Sequence, residues 1–234
     1  MVYAGIVAGG SGTRMGAPIP KQYIEICGKP IIIRTIEKFV SCEVFRKIFV
    51  AVPQDHISMT RKLIEKHIGT DSNVFVIAGG NDRNGSVCNI ISAAKADDPS
   101  PENLLVTHDG VRPFVTTQMI KECIIRAEET GASGVYVPTT DTIVSSSDGQ
   151  FADTVLNRAL LYNTQTPQTF RIGLFEEAFS SLSDSEKQTL TDVSGLFRKT
   201  GQPVAMVMGS TGNIKITTPI DIAVAEAVIR DSEQ

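Results

Sequence analysis

Tryptophan is absent from this 234-residue chain and histidine occurs only three times, so imidazole catalysis has few candidates. The four cysteines, Cys27, Cys42, Cys88 and Cys123, are scattered, and no two form a C-x-x-C pair. That argues against a disulfide scaffold or a zinc knuckle and for a reduced, cytoplasmic protein. No run approaches the roughly 18 apolar residues of a membrane span. Residues 1–8 are apolar, lack a basic stretch and break at once into glycines, which reads as a buried strand and not a secretory signal. Neither sign of charge dominates: 22 Lys and Arg face 26 Asp and Glu, a net charge of −4. A broad nucleic-acid surface is thereby disfavoured, although a local basic pocket is not.

What the sequence does have is alternation. Strand-like runs at 2–8, 47–52, 74–78, 104–107, 134–138 and 204–208 are separated by helical patterns at 31–40, 57–68, 85–95, 117–130 and 171–182. A last helical pattern at 219–230 closes the chain. Strand, helix, strand, repeated, implies right-handed crossovers and a mostly parallel sheet covered on both faces. Runs such as Leu104-Leu105-Val106 suit strands buried on both sides. The expectation is one doubly wound α/β domain over 1–234. One segment, 139–162, breaks the rhythm and carries Asp148-Gly149, a hairpin turn signal. It is expected to project as a β-hairpin arm, either a plain surface excursion or a clasp for a second subunit.

Polar loops follow three of the strands, and in an open α/β sheet ligands bind at the carboxyl ends of strands. Ala8-Gly9-Gly10-Ser11-Gly12-Thr13-Arg14-Met15-Gly16 follows the first. Met15 stands where a dinucleotide fingerprint needs glycine, and no Walker loop fits either. Arg14 and Lys21 place two cations just past a phosphate-sized nest, which suits charge stabilisation at phosphorus better than dinucleotide binding. Gly79-Gly80-Asn81-Asp82-Arg83-Asn84-Gly85-Ser86 offers groups that can read a base edge, or simply an Asx turn and a helix cap. In Thr107-His108-Asp109-Gly110-Val111-Arg112-Pro113-Phe114, Asp109 can hold Mg²⁺ against a triphosphate and Arg112 can fork onto a phosphate. The same two residues could instead form a surface ion pair. His108 is read as structural, and His56 and His67 as surface residues. Gln165 to Phe170 is a polar segment whose bland reading is the start of a helix, and Lys215 lies between two isoleucines.

Taken in order, A-G-G-S-G-T-R-M-G with P-K-Q, G-G-N-D-R, T-H-D-G-V-R-P-F, T-P-Q-T-F and N-I-K-I-T resemble the cytidylyltransferases of the methylerythritol-phosphate and alditol-phosphate type over essentially the whole chain. The resemblance implies a nucleotidyltransferase-type fold, a homodimer, Mg²⁺, and CTP with an alditol phosphate as substrates; nucleic acid and membrane are not implied. Methylerythritol-phosphate enzymes typically read H-D-A-A-R-P. The motifs here look closer to the ribitol-5-phosphate cytidylyltransferases, which make CDP-ribitol for teichoic-acid-type polymers. D-ribitol 5-phosphate is the expected acceptor, and 2-C-methyl-D-erythritol 4-phosphate the alternative.

Residue by residue, the resemblance implies that Ala8, Gly9, Gly10, Ser11, Gly12, Thr13, Arg14 and Lys21 wrap the CTP triphosphate. Arg14, Lys21 and Lys215 would stabilise charge at the α-phosphate. Gly80, Asn81, Arg83 and Ser86 would surround the cytosine, and Asp109 would bind Mg²⁺. Arg112, Thr142, Arg158 and Thr166 would hold the acceptor phosphate, Thr142 and Arg158 reaching over from a partner's arm. Relatives often carry an acid just before N-I-K; here Gly209-Ser210-Thr211-Gly212 has none, so a second metal carboxylate is not implied.

Overall fold

The computed structural model describes residues 1–10, 15–16, 19–190 and 192–232. Its strands are β1 (Val2–Val7), β2 (Glu25–Ile26), β3 (Lys29–Pro30), β4 (Lys47–Val52), β5 (Val74–Ala78), β6 (Leu104–Asp109), β7 (Ala132–Pro138), β8 (Val144–Ser145), β9 (Thr154–Val155), β10 (Tyr162–Arg171) and β11 (Ala205–Met208). The helices are α1 (Ile31–Val40), α2 (Ile57–His67), α3 (Arg83–Asp97), α4 (Thr117–Thr130), α5 (Ile172–Ser180), α6 (Asp184–Thr189), α7 (Val193–Lys199) and α8 (Pro219–Ser232). Seven strands form one sheet in the order β11-β7-β10-β6-β1-β4-β5. Six run parallel; β10 is antiparallel to both its neighbours, β6 and β7.

Side-chain alternation along the strands fills two apolar layers. Ala4, Ile6, Ile48, Val50 and Val106 face α1, α2 and α4, whose Ile36, Phe39, Ile64 and Ile120 complete one layer. Tyr3, Phe49, Leu105 and Phe170 face α3, α5 and α7 through Ile90, Phe175 and Phe197. Leu104 to Asp109 is buried at every position, as two-sided coverage requires. A third, smaller cluster joins β2 to α8 through Ile26, Ile216, Ala225 and Ile229. Among the described residues, no helix is long and apolar enough to cross a membrane.

The doubly wound expectation therefore holds, with two corrections. Tyr162–Arg171 is a strand in the middle of the sheet, not the start of a helix. Pro167 cannot donate to a ladder, and the register with β7 shifts between Thr164 and Gln168 to accommodate it. Two short helices, α6 and α7, also precede β11 where no helix was expected. His56 differs from its expected surface role too: it is half-buried, with its ring 5.4 Å from that of Tyr23.

Between β7 and β10 the chain makes an excursion from the sheet, one residue short of the expected 139–162, since Tyr162 already pairs with Pro138. β8 and β9 pair only with each other, and Gly149 takes φ +71° in their connection. The arm exposes Val144, Phe151, Val155 and Leu160.

Candidate active site

The parallel strands β1, β5 and β6 end on one edge of the sheet. The loops leaving them enclose a cavity of about 500 Å³, lined by Gly9, Gly10, Gly80, Asn81, Lys21 and Asp109 among others. Each loop is shaped by its own residues. The buried Gln22 donates from Nε2 to the carbonyl of Ala8 at 2.8 Å, fixing where the glycine turn departs. In the second loop, the Ser86 hydroxyl accepts from the Gly80 amide at 3.0 Å and donates to the Asp82 carbonyl at 2.9 Å. A Cβ on Gly80 would lie 2.4 Å from the Gly85 backbone, so only glycine fits. Asp82 caps α3 by accepting from the Gly85 amide at 2.6 Å. Asp82, Arg83 and Ser86, from the cap and first turn of α3, line the cavity.

Asp109, the last residue of β6, is the hub. It is 6% exposed. Oδ2 lies 3.0 Å from Lys215 Nζ and 3.1 Å from Arg112 Nε, while Oδ1 lies 3.7 Å from Arg83 Nε. Burial opposes ionisation, but Lys215, Arg83 and Arg112 outweigh it and hold the carboxyl well below its usual range. Arg112 is braced further by Nη1 donating to the Asn213 carbonyl at 2.9 Å. The buried Nη1 of Arg83 has no hydrogen-bond partner among the described residues. Lys215 reaches the hub because Ile216, buried in the third cluster, donates its amide to the Val111 carbonyl at 2.9 Å.

Beside the hub, β10 brings Thr166 against β6. Thr166 Oγ1 accepts from the Asp109 amide at 3.2 Å and lies 2.9 Å from His108 Nδ1. His108 Nε2 faces the Arg112 carbonyl at 3.1 Å. A carbonyl only accepts, so Nε2 carries the proton, and the Thr166 hydroxyl must donate to Nδ1. Burial lowers the His108 pKa to about 4, which keeps the ring neutral at pH 7. A second cavity, of about 160 Å³, opens here and is lined by Arg112, Thr166, Gln168 and Asp192 together with Arg83, Asp109 and Lys215. Those last three residues also line the larger cavity, so the two chambers share one charged wall.

Of the residues singled out from sequence, the structure brings Ala8, Gly9, Gly10, Lys21, Gly80, Asn81, Arg83, Ser86, Asp109 and Lys215 to the larger cavity, and Arg112 and Thr166 to the smaller. Ser11, Gly12, Thr13 and Arg14 lie outside the described residues. Arg83 was expected at the base, yet its guanidinium is at Asp109. The Asp109–Arg112 pair is buried in the site and is not a surface pair. Thr142 and Arg158 stand on the exposed arm, where Arg158 Nη1 donates to the Thr140 carbonyl at 3.0 Å, and line neither cavity. Gln22, Gln168 and Asp192 also line the cavities although no site role was read for them from sequence, whereas the loop holding Asp82 was read as a base reader or a helix cap; Asp82 and Asp192 each line a cavity and cap a helix.

Among the described residues, no three His, Cys, Asp or Glu side chains cluster as a metal site. Mg²⁺ does not need them: one or two carboxylates plus substrate phosphates suffice. Asp109 Oδ1, with no partner closer than Arg83 at 3.7 Å among the described residues, is the oxygen with lone pairs to offer.

A family model described as IspD, 2-C-methyl-D-erythritol 4-phosphate cytidylyltransferase, matches residues 2–231. The chain belongs to the IspD family. IspD-family structures agree in fold. The 4-diphosphocytidyl-2C-methyl-D-erythritol synthase of Anaerococcus prevotii is 30% identical, covering 98% of this chain and 96% of that one at a TM-score of 0.83. The 2-C-methyl-D-erythritol 4-phosphate cytidylyltransferase of Francisella tularensis is 28% identical over 97% and 98% of the two chains, with a TM-score of 0.79. For that of Thermus thermophilus the values are 26%, 98%, 100% and 0.73. As an IspD-family member the chain is a nucleotidyltransferase of the cytidylyltransferase type.

Proposed function

We propose that this enzyme transfers CMP from CTP to the phosphate of a polyol phosphate and releases pyrophosphate, acting as a homodimer. The observation that carries the reading is the shared wall of Asp109, Arg83 and Lys215 between a nucleotide-sized chamber and a smaller one. CTP would occupy the larger chamber, its phosphates against Gly9, Gly10 and Lys21, with Arg14 four residues on in the sequence from Gly10. The acceptor phosphate would lie in the smaller one, against Arg112 and Thr166. Its oxygen then meets the α-phosphorus at the wall, in line with the leaving pyrophosphate.

No general base is required. A phosphomonoester has its second pKa near ~6 and is largely a dianion at pH 7. That agrees with His108 being buried, neutral and bonded at both ring nitrogens. The task is electrostatic: a dianion must approach a polyanion, and charge must be met as it develops. Lys21, Lys215 and Arg83 supply fixed positive charge, and Asp109 holds two of them in place. Mg²⁺ held at Asp109 would add Lewis-acid neutralisation of phosphate oxygens. Thr142 and Arg158 would complete the acceptor chamber from a partner's arm, whose exposed apolar residues suit burial between subunits.

The family model and the related structures are named for 2-C-methyl-D-erythritol 4-phosphate cytidylyl transfer, which supports that compound as the acceptor. D-ribitol 5-phosphate is the second reading, favoured by T-H-D-G-V-R-P-F. Gly110 stands where methylerythritol-phosphate enzymes typically carry alanine, and a Cβ here would press 2.9 Å from Ala8 Cβ. Pyrophosphate release with CTP and Mg²⁺, run with each acceptor, decides. Turnover of methylerythritol phosphate alone places the enzyme in isoprenoid precursor synthesis, and of ribitol phosphate alone in polymer precursor synthesis. Release with neither acceptor refutes the proposal.

A further inference from the structure

The smaller chamber carries charge of both signs. Arg83, Arg112 and Lys215 are gathered on Asp109. The same chamber is lined by Asp192, half-buried, bonded to Gln168 and with no ion pair among the described residues. Most other polar groups of the lining are already committed within the protein. Gln165 accepts from Asn213 Nδ2 at 3.2 Å and donates to the Ser210 carbonyl at 2.8 Å. Gln168 donates to Asp192 Oδ2 at 2.9 Å and to Ser194 Oγ at 3.0 Å, and accepts from the Val193 amide at 3.3 Å. The Thr166 hydroxyl is held between Asp109 and His108. Asp192 is different. Its Oδ1 accepts from the Gly195 amide at 2.8 Å and its Oδ2 from Gln168. A carboxylate has about four acceptor positions, so two are unused.

Building on the function proposed above, we infer that Asp192 is a specificity-determining residue that accepts hydrogen bonds from the hydroxyl groups of the acceptor. A phosphate dianion is repelled by a carboxylate and drawn to the guanidinium and ammonium groups, so the acceptor's phosphate belongs with the cations gathered on Asp109. The rest of the acceptor then extends toward Asp192, an acceptor-only group that hydroxyls satisfy and an alkyl chain leaves dry and unpaired. Charge of both signs in one chamber thus orients the molecule and selects a polyhydroxylated one. Gln168 and the first turn of α7 hold the carboxylate in that attitude.

The test compares wild-type enzyme with Asp192→Asn on two acceptors: whichever polyol phosphate is turned over, and a hydroxyl-free alkyl phosphate of the same chain length. Asparagine remains a good helix cap, so α7 is retained. A hydrogen bond to a charged group contributes about 1.5–3 kcal/mol, so preference for the polyol phosphate in kcat/KM should fall roughly ten- to hundredfold. The loss should appear in the acceptor KM. Asp192→Ser, which also caps, repeats the test should asparagine fail to fold. An equal loss on both acceptors means a merely structural role and overturns the inference, as does no change in preference. If wild-type enzyme turns over no polyol phosphate, the proposed function itself fails and the inference with it.

Discussion

Replacing Asp109 by asparagine keeps the shape of the hub and removes its charge. Three cations within 4 Å then face one another without a counter-ion. Breaking a buried ion pair by removing one partner costs about 3–5 kcal/mol. Lys215 is 41% exposed, so water screens its share, whereas the arginine side chains are 22% and 12% exposed. The low end, about 3 kcal/mol, is therefore expected. For a chain of this length each kcal/mol moves Tm by about 2–4 °C, giving a fall of roughly 6–12 °C at pH 7 in a thermal-shift assay. Pyrophosphate should rescue the variant more than it stabilises the wild type, because it supplies the missing negative charge. The pH dependence has a definite sign. The folded carboxyl has a depressed pKa, so its contribution is complete above the unfolded value near ~4 and is lost as pH falls toward the folded value. The gap between wild type and variant should be flat from neutral pH down to about 5 and narrow below about 4. A Tm change below about 2 °C, or an equal response of both proteins to pyrophosphate, refutes the reasoning.

Two further outcomes are expected. His108 has a pKa of about 4 in the folded protein against about 6.5 in an unfolded chain, so wild type should lose stability steadily as pH falls from 6.5 to 4; in urea titrations His108→Gln should flatten that slope, and an unchanged slope would show that another group sets it. Arg158→Ala should raise the acceptor KM about tenfold, the order expected for a lost charged hydrogen bond. Mixing it with Asp109→Asn should restore normal acceptor KM in the hybrid dimers, since one protomer keeps an intact hub and the other an intact arm. A mixture no better than its parts would show that the arm does not act across subunits.

The parallel framework was legible because its strands are short, β-branched and flanked by turn signals. The predicted strand at 47–52 and helices at 31–40 and 117–130 match the observed bounds. β10 was not legible: it is polar, holds a proline and lies in the interior of the sheet, between β7 and β6. Its strand state is imposed by β6 and β7 on either side and not by its own composition, the context dependence expected of strand propensity. The loops of the site could be located because glycines and charges follow strand ends. Their partition into two chambers could not, since Thr166 and Gln168 come from that hidden strand and Asp192 from the cap of α7, a helix the sequence pattern did not show.

The position of β10 also bears on how the molecule comes into being. β6 and β7 are consecutive strands joined by α4, yet they are not neighbours; the gap between them is filled by a segment that begins at Tyr162, after the whole arm. During synthesis both strands leave a bare edge until Arg171 has been made, and such edges invite pairing with other chains. The wall of the reaction centre waits longer still, for Lys215 arrives after β11. The nascent chain thus has a sheet to protect well before it has a catalyst, and the long-range closure of β10 makes slow, late assembly a built-in feature of this topology.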